Sequence, residues 1–179
     1  MMKKLSFSLI LLGLILSACA PTQTETPASV EGEAFELYLV ADPQMSGGDL
    51  QRYALDDLPL AEDPIITTDD LHSYLWDVHA VNLTEEAYKK LLVIFSQGLP
   101  MSGLPFVIVS NGERIYAGAF WTPASSLSFD GVTILQPFDP SGQPLLISLG
   151  YPTSDFYTGD DPRNDSRLET ALENAGLMK

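Results

Sequence analysis

Two histidines are the side chains best suited to acid–base or metal chemistry near neutral pH. His72 and His79 lie seven residues apart, on either side of Trp76. In a tight hairpin that turns near Trp76, the two imidazoles would face each other across the strands. A two-histidine metal site also needs carboxylate or water ligands, and this spacing matches no established ligand motif. We therefore expect no metal and no cofactor, and we expect His79 to help hold the turn.

Acidic side chains offer a second kind of chemistry, because paired carboxylates can act as general acid and base. The chain contains 24 Asp and Glu residues, so no single pair is informative. The acids at 160–165 (DDPRND) supply the oxygen ligands that calcium prefers, but the segment lacks the alternating acids and glycine of a calcium-binding loop. We expect these acids to cap a helix. The sequence contains no Gly-x-Ser-x-Gly motif, and it indicates no catalytic residue.

Aromatic and arginine side chains indicate a binding surface. Trp121 follows a predicted hairpin, and a loop there would present it together with the hydroxyl of Ser125. Arg114 and Tyr116 lie two residues apart on one strand face, close enough for a cation–π contact, and Trp76 lies in a predicted turn. Such residues anchor many interfaces. We predict that these five line a shallow site for a peptide, glycan or partner protein; the alternative is that they pack in the core.

The N-terminus has the pattern of a secretory signal. Two lysines precede an apolar run from Leu5 to Leu16, which is short for a membrane span. A Leu-Ser-Ala tripeptide then leads directly into Cys19, the only cysteine. This arrangement resembles the lipobox of bacterial lipoproteins, in which the thiol receives a diacylglyceryl group and cleavage leaves the cysteine as the first mature residue. The resemblance implies a signal peptide at 1–18, lipid attachment at Cys19, and anchoring to the outer face of a cytoplasmic membrane or to an outer membrane.

The remaining chain is predicted to be one acidic domain behind a short tether. Residues 19–33 combine the lipidated cysteine with a Thr-, Pro-, Ser- and Glu-rich tether, and residues 34–179 have the length and composition of a single globular domain. Without the signal peptide, seven basic residues face 24 acidic ones, a net charge of −17. This charge repels nucleic acid and anionic headgroups, so we expect no nucleic-acid partner and membrane contact through the acyl chains. A cationic ligand, a basic partner or a divalent cation is electrostatically favoured.

The hydrophobic patterns predict an α+β fold with a mainly antiparallel sheet of about five to seven strands and two helices, in the order β-ββ-α-ββ-ββ-α. Thr84, followed by two glutamates, marks the start of the first helix, which should end before Gly98. Either Asp161 or Asp165 should cap the second helix, and Gly176 should end it.

Asn111-Gly112 lies between two apolar runs and predicts a hairpin with a two-residue type I′ turn. The turn sets a register in which Ser110 opposes Glu113, and Ile108 opposes Ile115. That face, which also includes Phe106 and Ala117, should belong to the core. The other face should be only partly buried; it carries Val107, Val109, Arg114, Tyr116 and Phe120.

Two segments of the predicted domain, 73–84 (SYLWDVHAVNLT) and 106–112 (FVIVSNG), resemble a pattern found in uncharacterised bacterial envelope proteins. That resemblance implies no particular activity. We expect a lipid-anchored envelope lipoprotein that acts as a non-enzymatic binding or accessory module, with an envelope protein or peptide as a partner. Two alternatives stay open: an envelope hydrolase that cleaves glycan or peptide through paired carboxylates, and a structural scaffold.

Overall fold

A computed structural model describes residues 32–136 and 144–179. Its centre is one seven-stranded sheet with the strand order β1-β4-β5-β6-β7-β3-β2. Only β5 and β6 run parallel, and the other neighbours are antiparallel. The strands are β1 (Glu36–Leu39), β2 (Leu71–Leu75), β3 (Ala80–Leu83), β4 (Leu104–Ser110), β5 (Glu113–Trp121), β6 (Phe129–Leu135) and β7 (Leu145–Tyr151). The helices are α1 (Glu85–Ser96) and α2 (Ser166–Asn174). The predicted α+β class, strand number and element order are confirmed.

The helix boundaries follow the capping residues. The Thr84 hydroxyl accepts a hydrogen bond from the Ala87 N–H at 3.2 Å, which satisfies one of the unpaired donors at the start of α1. Both predicted acidic caps are used at the C-terminal end of the chain. Asp161 caps a short 3₁₀ helix at Pro162–Asn164, and Asp165 caps α2. Gly176 ends α2 with a φ of 70°, a backbone conformation that glycine adopts without strain.

The β4–β5 hairpin forms at Asn111-Gly112 as predicted, but its predicted register is wrong beyond the turn. Ser110 pairs with Glu113, whereas Ile108 pairs with Tyr116, because a β-bulge shifts the ladder by one residue. One extra residue in a strand moves every later side chain to the opposite face. Tyr116 and Phe120 therefore share the face of Phe106 and Ile108, while Ala117 lies on the opposite one.

The β4–β5 hairpin is buried on both faces, so the prediction that one of its faces is only partly buried is also wrong. The main core cluster contains Phe106 and Ile108 and packs against α1 and α2 through Leu91, Phe95 and Leu168. The second cluster covers the opposite face. It contains Met45, Leu50, Leu58, Val107, Val109, Ala119, Trp121 and Phe129. The segment between β1 and β2 supplies the cover for this second face with its 3₁₀ helices at Gly47–Arg52 and Leu55–Asp57.

Both edges of the sheet are covered by irregular chain. Along β1, Leu37 exchanges backbone hydrogen bonds with Ile65 and Ile66, and the Ala61 N–H donates to Leu39. Along β2, Tyr74 forms a parallel bridge with Met178. The Tyr74 N–H donates to the Leu177 carbonyl, and the Lys179 N–H donates to the Tyr74 carbonyl. Covered edges remove the free donors and acceptors through which sheets associate.

Some predictions for the N-terminal region lie outside the described residues. The proposed signal peptide, Cys19 and most of the tether fall in residues 1–31. Within the ranges that the structure describes, no helix has the length and hydrophobicity needed to cross a membrane.

Candidate functional site

The structure places the five predicted surface residues apart. Trp121 is the last residue of β5 and is 1% exposed; its indole stacks on Phe129 with ring centroids 5.0 Å apart. Tyr116 is also buried, but in the core cluster on the other face of the sheet. The expected loop presentation of Trp121 is wrong because β5 continues through this residue and both faces of the strand are covered.

The other three residues of that set make structural contacts. The Arg114 guanidinium donates to the Leu55 carbonyl at 2.6 Å, on the face opposite Tyr116, so the bulge prevents the predicted cation–π contact. Ser125 is buried and donates to the Met101 carbonyl at 2.6 Å. Trp76 is partly buried against the main core cluster. The packing alternative describes these residues better than a common binding surface does.

A different concave feature lies where the second core cluster reaches the surface. It is a cavity of about 250 Å³, named here the Tyr157 pocket. Leu50, Ala117, Phe129 and Val132 contribute its apolar lining, and Tyr157 stands beside them, half-buried. The polar part of the lining consists of Gln51, Asp130 and Thr158. An apolar cavity with a few convergent polar groups is the usual form of a ligand site.

Asp130 is held in a fixed position at the Tyr157 pocket. The Thr158 N–H donates to Asp130 Oδ1 at 2.7 Å, and the Thr158 hydroxyl donates to Oδ2 at 2.5 Å. The Gln51 side-chain amide donates to the Asp130 backbone carbonyl at 2.6 Å. The hydrogen bonds from Thr158 stabilise the carboxylate and lower the pKa of Asp130. The pocket thus presents a preorganised negative charge.

Acidic side chains outnumber basic ones around Tyr157. Burial raises the pKa of the Tyr157 phenol, and the carboxylates of Asp161, Asp130 and Asp160 raise it further against the opposing effect of Arg163. The Tyr157 hydroxyl donates to the Asp160 backbone carbonyl at 2.8 Å, which fixes the orientation of the ring. Three carboxylates therefore act on one partly buried aromatic ring.

A second polar group, the His79 cluster (Tyr74, His79, Tyr116, Asp161 and Arg163), lies inside the fold. The Tyr74 hydroxyl is 3.4 Å from His79 Nδ1, and His79 Nε2 is 3.9 Å from Asp161 Oδ2. Arg163 holds Asp161 through Nε and Nη2, at 2.8 and 2.6 Å, and its Nη1 donates to the Ile147 carbonyl at 2.6 Å. The Tyr116 hydroxyl is buried without a hydrogen-bond partner in the described structure.

The contacts of the His79 cluster hold its side chains in place within the fold rather than present them to a substrate. Burial and Arg163 lower the pKa of His79, although Asp161 opposes them, so the ring is neutral near pH 7. Burial raises the pKa of Tyr74 and Tyr116 far above the range in which a phenol could exchange protons at neutral pH. His79 has a φ of 47° at the hairpin turn, and its carbonyl accepts from the Ile147 N–H at 2.9 Å. Both of these are properties of the backbone, so the role of the His79 side chain in holding the turn stays a prediction.

Two further grooves have linings that are less suited to binding a ligand. One, of about 360 Å³, contains Arg167 and Glu113, but these side chains already pair with each other at 2.8 Å. The other, also about 360 Å³, runs along β6 and β7 and includes Leu135 and Leu146. The Tyr157 pocket is the one of the three that combines an apolar lining with a fixed carboxylate and an aromatic ring.

The chain matches no family model, no curated protein and no solved structure. The assignment of a site therefore depends on its geometry and chemistry. Within the described ranges, no group of three or more His, Cys, Asp or Glu side chains is placed to hold a metal ion.

The sequence did not single out the Tyr157 pocket because its parts come from distant segments. Gln51 and Asp130 are 79 residues apart, and Asp130 and Thr158 are 28 apart. The Asp130-Gly131 dipeptide indicated only a turn before a strand. No local spacing connects these residues, so only the folded chain brings them together.

Proposed function

We propose that this chain is a lipid-anchored binding module of the cell envelope. Acyl chains on Cys19 attach it to a membrane, and the tether up to about residue 33 separates the domain from the lipid. The domain binds its ligand at the Tyr157 pocket. The signal pattern and the cysteine that follows it support the anchor, and the acidic, edge-covered domain suits a protein exposed to solvent.

The observation that carries the binding role is the fixed Asp130 carboxylate at an apolar pocket. Its two oxygens accept hydrogen bonds from Thr158, which keep it ionised and in one orientation. A rigid charge of this kind recognises an opposite charge without the entropy cost of ordering the site. Pocket shape and charge together give selectivity.

The same chemistry disfavours the hydrolase alternative. A glycosidase-like mechanism requires one carboxyl group with a raised pKa to act as general acid. The carboxyl groups with a shifted pKa in the described residues all have it lowered: Asp49, Glu85, Asp130, Asp161 and Asp165. These five groups are poor proton donors at neutral pH, so none of them supplies the general acid of such a mechanism.

The binding role is tested by ligand capture with the full-length chain in a non-ionic detergent. The wild type is compared with Asp130→Asn and with Asp56→Asn, a matched loss of charge at an exposed site. Bound components of an envelope extract are identified by mass spectrometry. We expect the wild type and Asp56→Asn to retain a component that Asp130→Asn loses. Equal retention by all three chains, or conversion of the extract into products, contradicts the proposal.

The anchor is tested by membrane fractionation and intact mass. Cys19→Ala should release the chain from the membrane fraction and remove the mass of the acyl chains, whereas Ser17→Ala retains a small residue and the cysteine and should remain anchored. Membrane attachment of Cys19→Ala with an unchanged mass contradicts the anchor.

A further inference from the structure

We propose that the Tyr157 pocket binds an organic ammonium group carried on a short apolar stem. This inference rests on the proposed binding function and names the ligand class of the same site. The chemistry is shared by free alkylamines and by the side chain of lysine.

The apolar lining provides the place for the stem. Leu50, Ala117 and Phe129 come from the second core cluster, and Val132 belongs to the main one. Phe129 is held against Trp121 by ring stacking at 5.0 Å and an interplanar angle of 9°. The floor is thus part of the packed interior and keeps its shape without a ligand. Methylene groups that enter this open pocket leave water and contact its apolar lining.

The Asp130 carboxylate, at the mouth of the Tyr157 pocket, forms no ion pair with a lysine or arginine of the described residues. Asp49, Asp70, Asp161 and Asp165 each pair with a lysine or arginine, at 2.6–2.7 Å. Asp130 accepts its side-chain hydrogen bonds from the neutral donors of Thr158 and takes part in no ion pair of the described structure. A carboxylate that is fixed but not neutralised by the protein is a good acceptor for a charge-assisted hydrogen bond from an ammonium group.

Tyr157 supplies the second contact that an organic cation prefers. An aromatic face attracts a cation within about 6 Å of its centroid, and the attraction increases as water is excluded. The ring is half-buried, and its hydroxyl is tied to the Asp160 carbonyl. Asp160 follows three residues later and adds a negative charge, whereas the charge of Asp161 is paired with Arg163 at 2.6 Å. An apolar lining next to a carboxylate and an aromatic face suits an ammonium group with hydrocarbon attached better than a hydrated metal ion.

The test uses n-butylammonium chloride as the probe and n-butanol as its neutral counterpart of the same shape. The full-length chain, isotope-labelled in detergent micelles, is titrated with each probe, and amide shifts are followed by NMR. We expect saturable shifts centred on Gly131 and Thr158 with n-butylammonium, weakened by added KCl. n-Butanol should bind at least about tenfold more weakly, since it cannot form the charge-assisted contact.

Variants of the pocket residues show where n-butylammonium binds. Asp130→Asn should weaken n-butylammonium binding by about tenfold or more, because it keeps one oxygen, which can accept from the Thr158 N–H, but removes the charge. Tyr157→Leu should also weaken binding, whereas Tyr157→Phe should retain it. Asp56→Asn, the exposed control, should change binding by less than about twofold. Melting curves of each chain show whether it is folded, so a loss of binding in a folded variant is a property of the pocket.

Several results overturn the inference: equal binding of n-butanol and n-butylammonium, shifts that lie away from the pocket, or binding that survives Asp130→Asn. If the pocket-dependent capture described above persists under those results, the module binds a ligand of another class and only the ammonium assignment fails. If capture fails as well, the binding function itself is wrong. A lysine tripeptide that binds more tightly than n-butylammonium identifies a protein side chain as the source of the ammonium group, and the reverse order identifies a free amine.

Discussion

Gly131→Ala is expected to destabilise the domain by moving one aromatic ring. A Cβ at Gly131 would lie 2.3 Å from Phe129 Cζ and 2.6 Å from Cε1, far inside van der Waals contact. Gly131 does not have a positive φ, so alanine adds no backbone strain. Phe129 is 5% exposed and stacked on Trp121, so its ring has little room to move away from the added Cβ. Overpacking of this kind costs about 1–3 kcal/mol.

The assay for Gly131→Ala is urea denaturation of the full-length chain with a melting curve as a second probe. A chain of this size loses about 2–4 °C of melting temperature for each kcal/mol. Gly48→Ala is the control, because its Cβ would meet only the Ser46 hydroxyl, at 3.8 Å; it should change stability by less than about 0.5 kcal/mol. Adding Phe129→Leu should recover part of the loss in Gly131→Ala, since the two positions are coupled. Equal stability of Gly131→Ala and Gly48→Ala would refute the packing described for this face.

Two further predictions concern the caps and the buried histidine. Thr84→Ala should lower the free energy of unfolding by about 1 kcal/mol through loss of the hydrogen bond to Ala87, and Thr84→Ser should restore most of it; an unchanged denaturation midpoint in Thr84→Ala contradicts the cap. Stability should also fall as the pH is lowered from about 7.5 to about 5. The folded chain holds the pKa of His79 below the usual 6.5, so the unfolded chain takes up the proton first. The contribution of neutral His79 to the free energy of unfolding is complete above pH 6.5. It is lost as the pH falls through the lower pKa that His79 has in the folded chain. His79→Gln should flatten this slope, and a slope equal to that of the wild type contradicts the assignment.

Local chemistry accounts for what the sequence predicted of the fold. Thr84 and Asp165 cap the helices where their side chains reach backbone N–H groups, and Asn111-Gly112 turns the chain because both residues adopt a positive φ. These signals act within a few residues, so they can be recognised without knowing the partner elements. The element order follows from them.

The remaining features depend on contacts between distant segments. The bulge in β5 displaces Tyr116 to the core face, which no local pattern in the hairpin indicated. The second core exists because the segment that contains Met45 and Leu50 folds over the sheet, and this cover is what buries Trp121. An exposed aromatic site at Trp121 was a reasonable prediction for a sheet with one solvated face, and it fails for a sheet with two covered faces.

The most direct test of the account is a measurement of intermolecular NOEs between n-butylammonium and the full-length chain. The account predicts NOEs from the probe methylene groups to the ring protons of Tyr157 and Phe129 and to the methyl group of Ala117, with their loss in folded Asp130→Asn. NOEs confined to an exposed ring such as Tyr53, or the same Tyr157 contacts in Asp130→Asn, would contradict the claim that a fixed carboxylate and an apolar pocket make this domain a binding module.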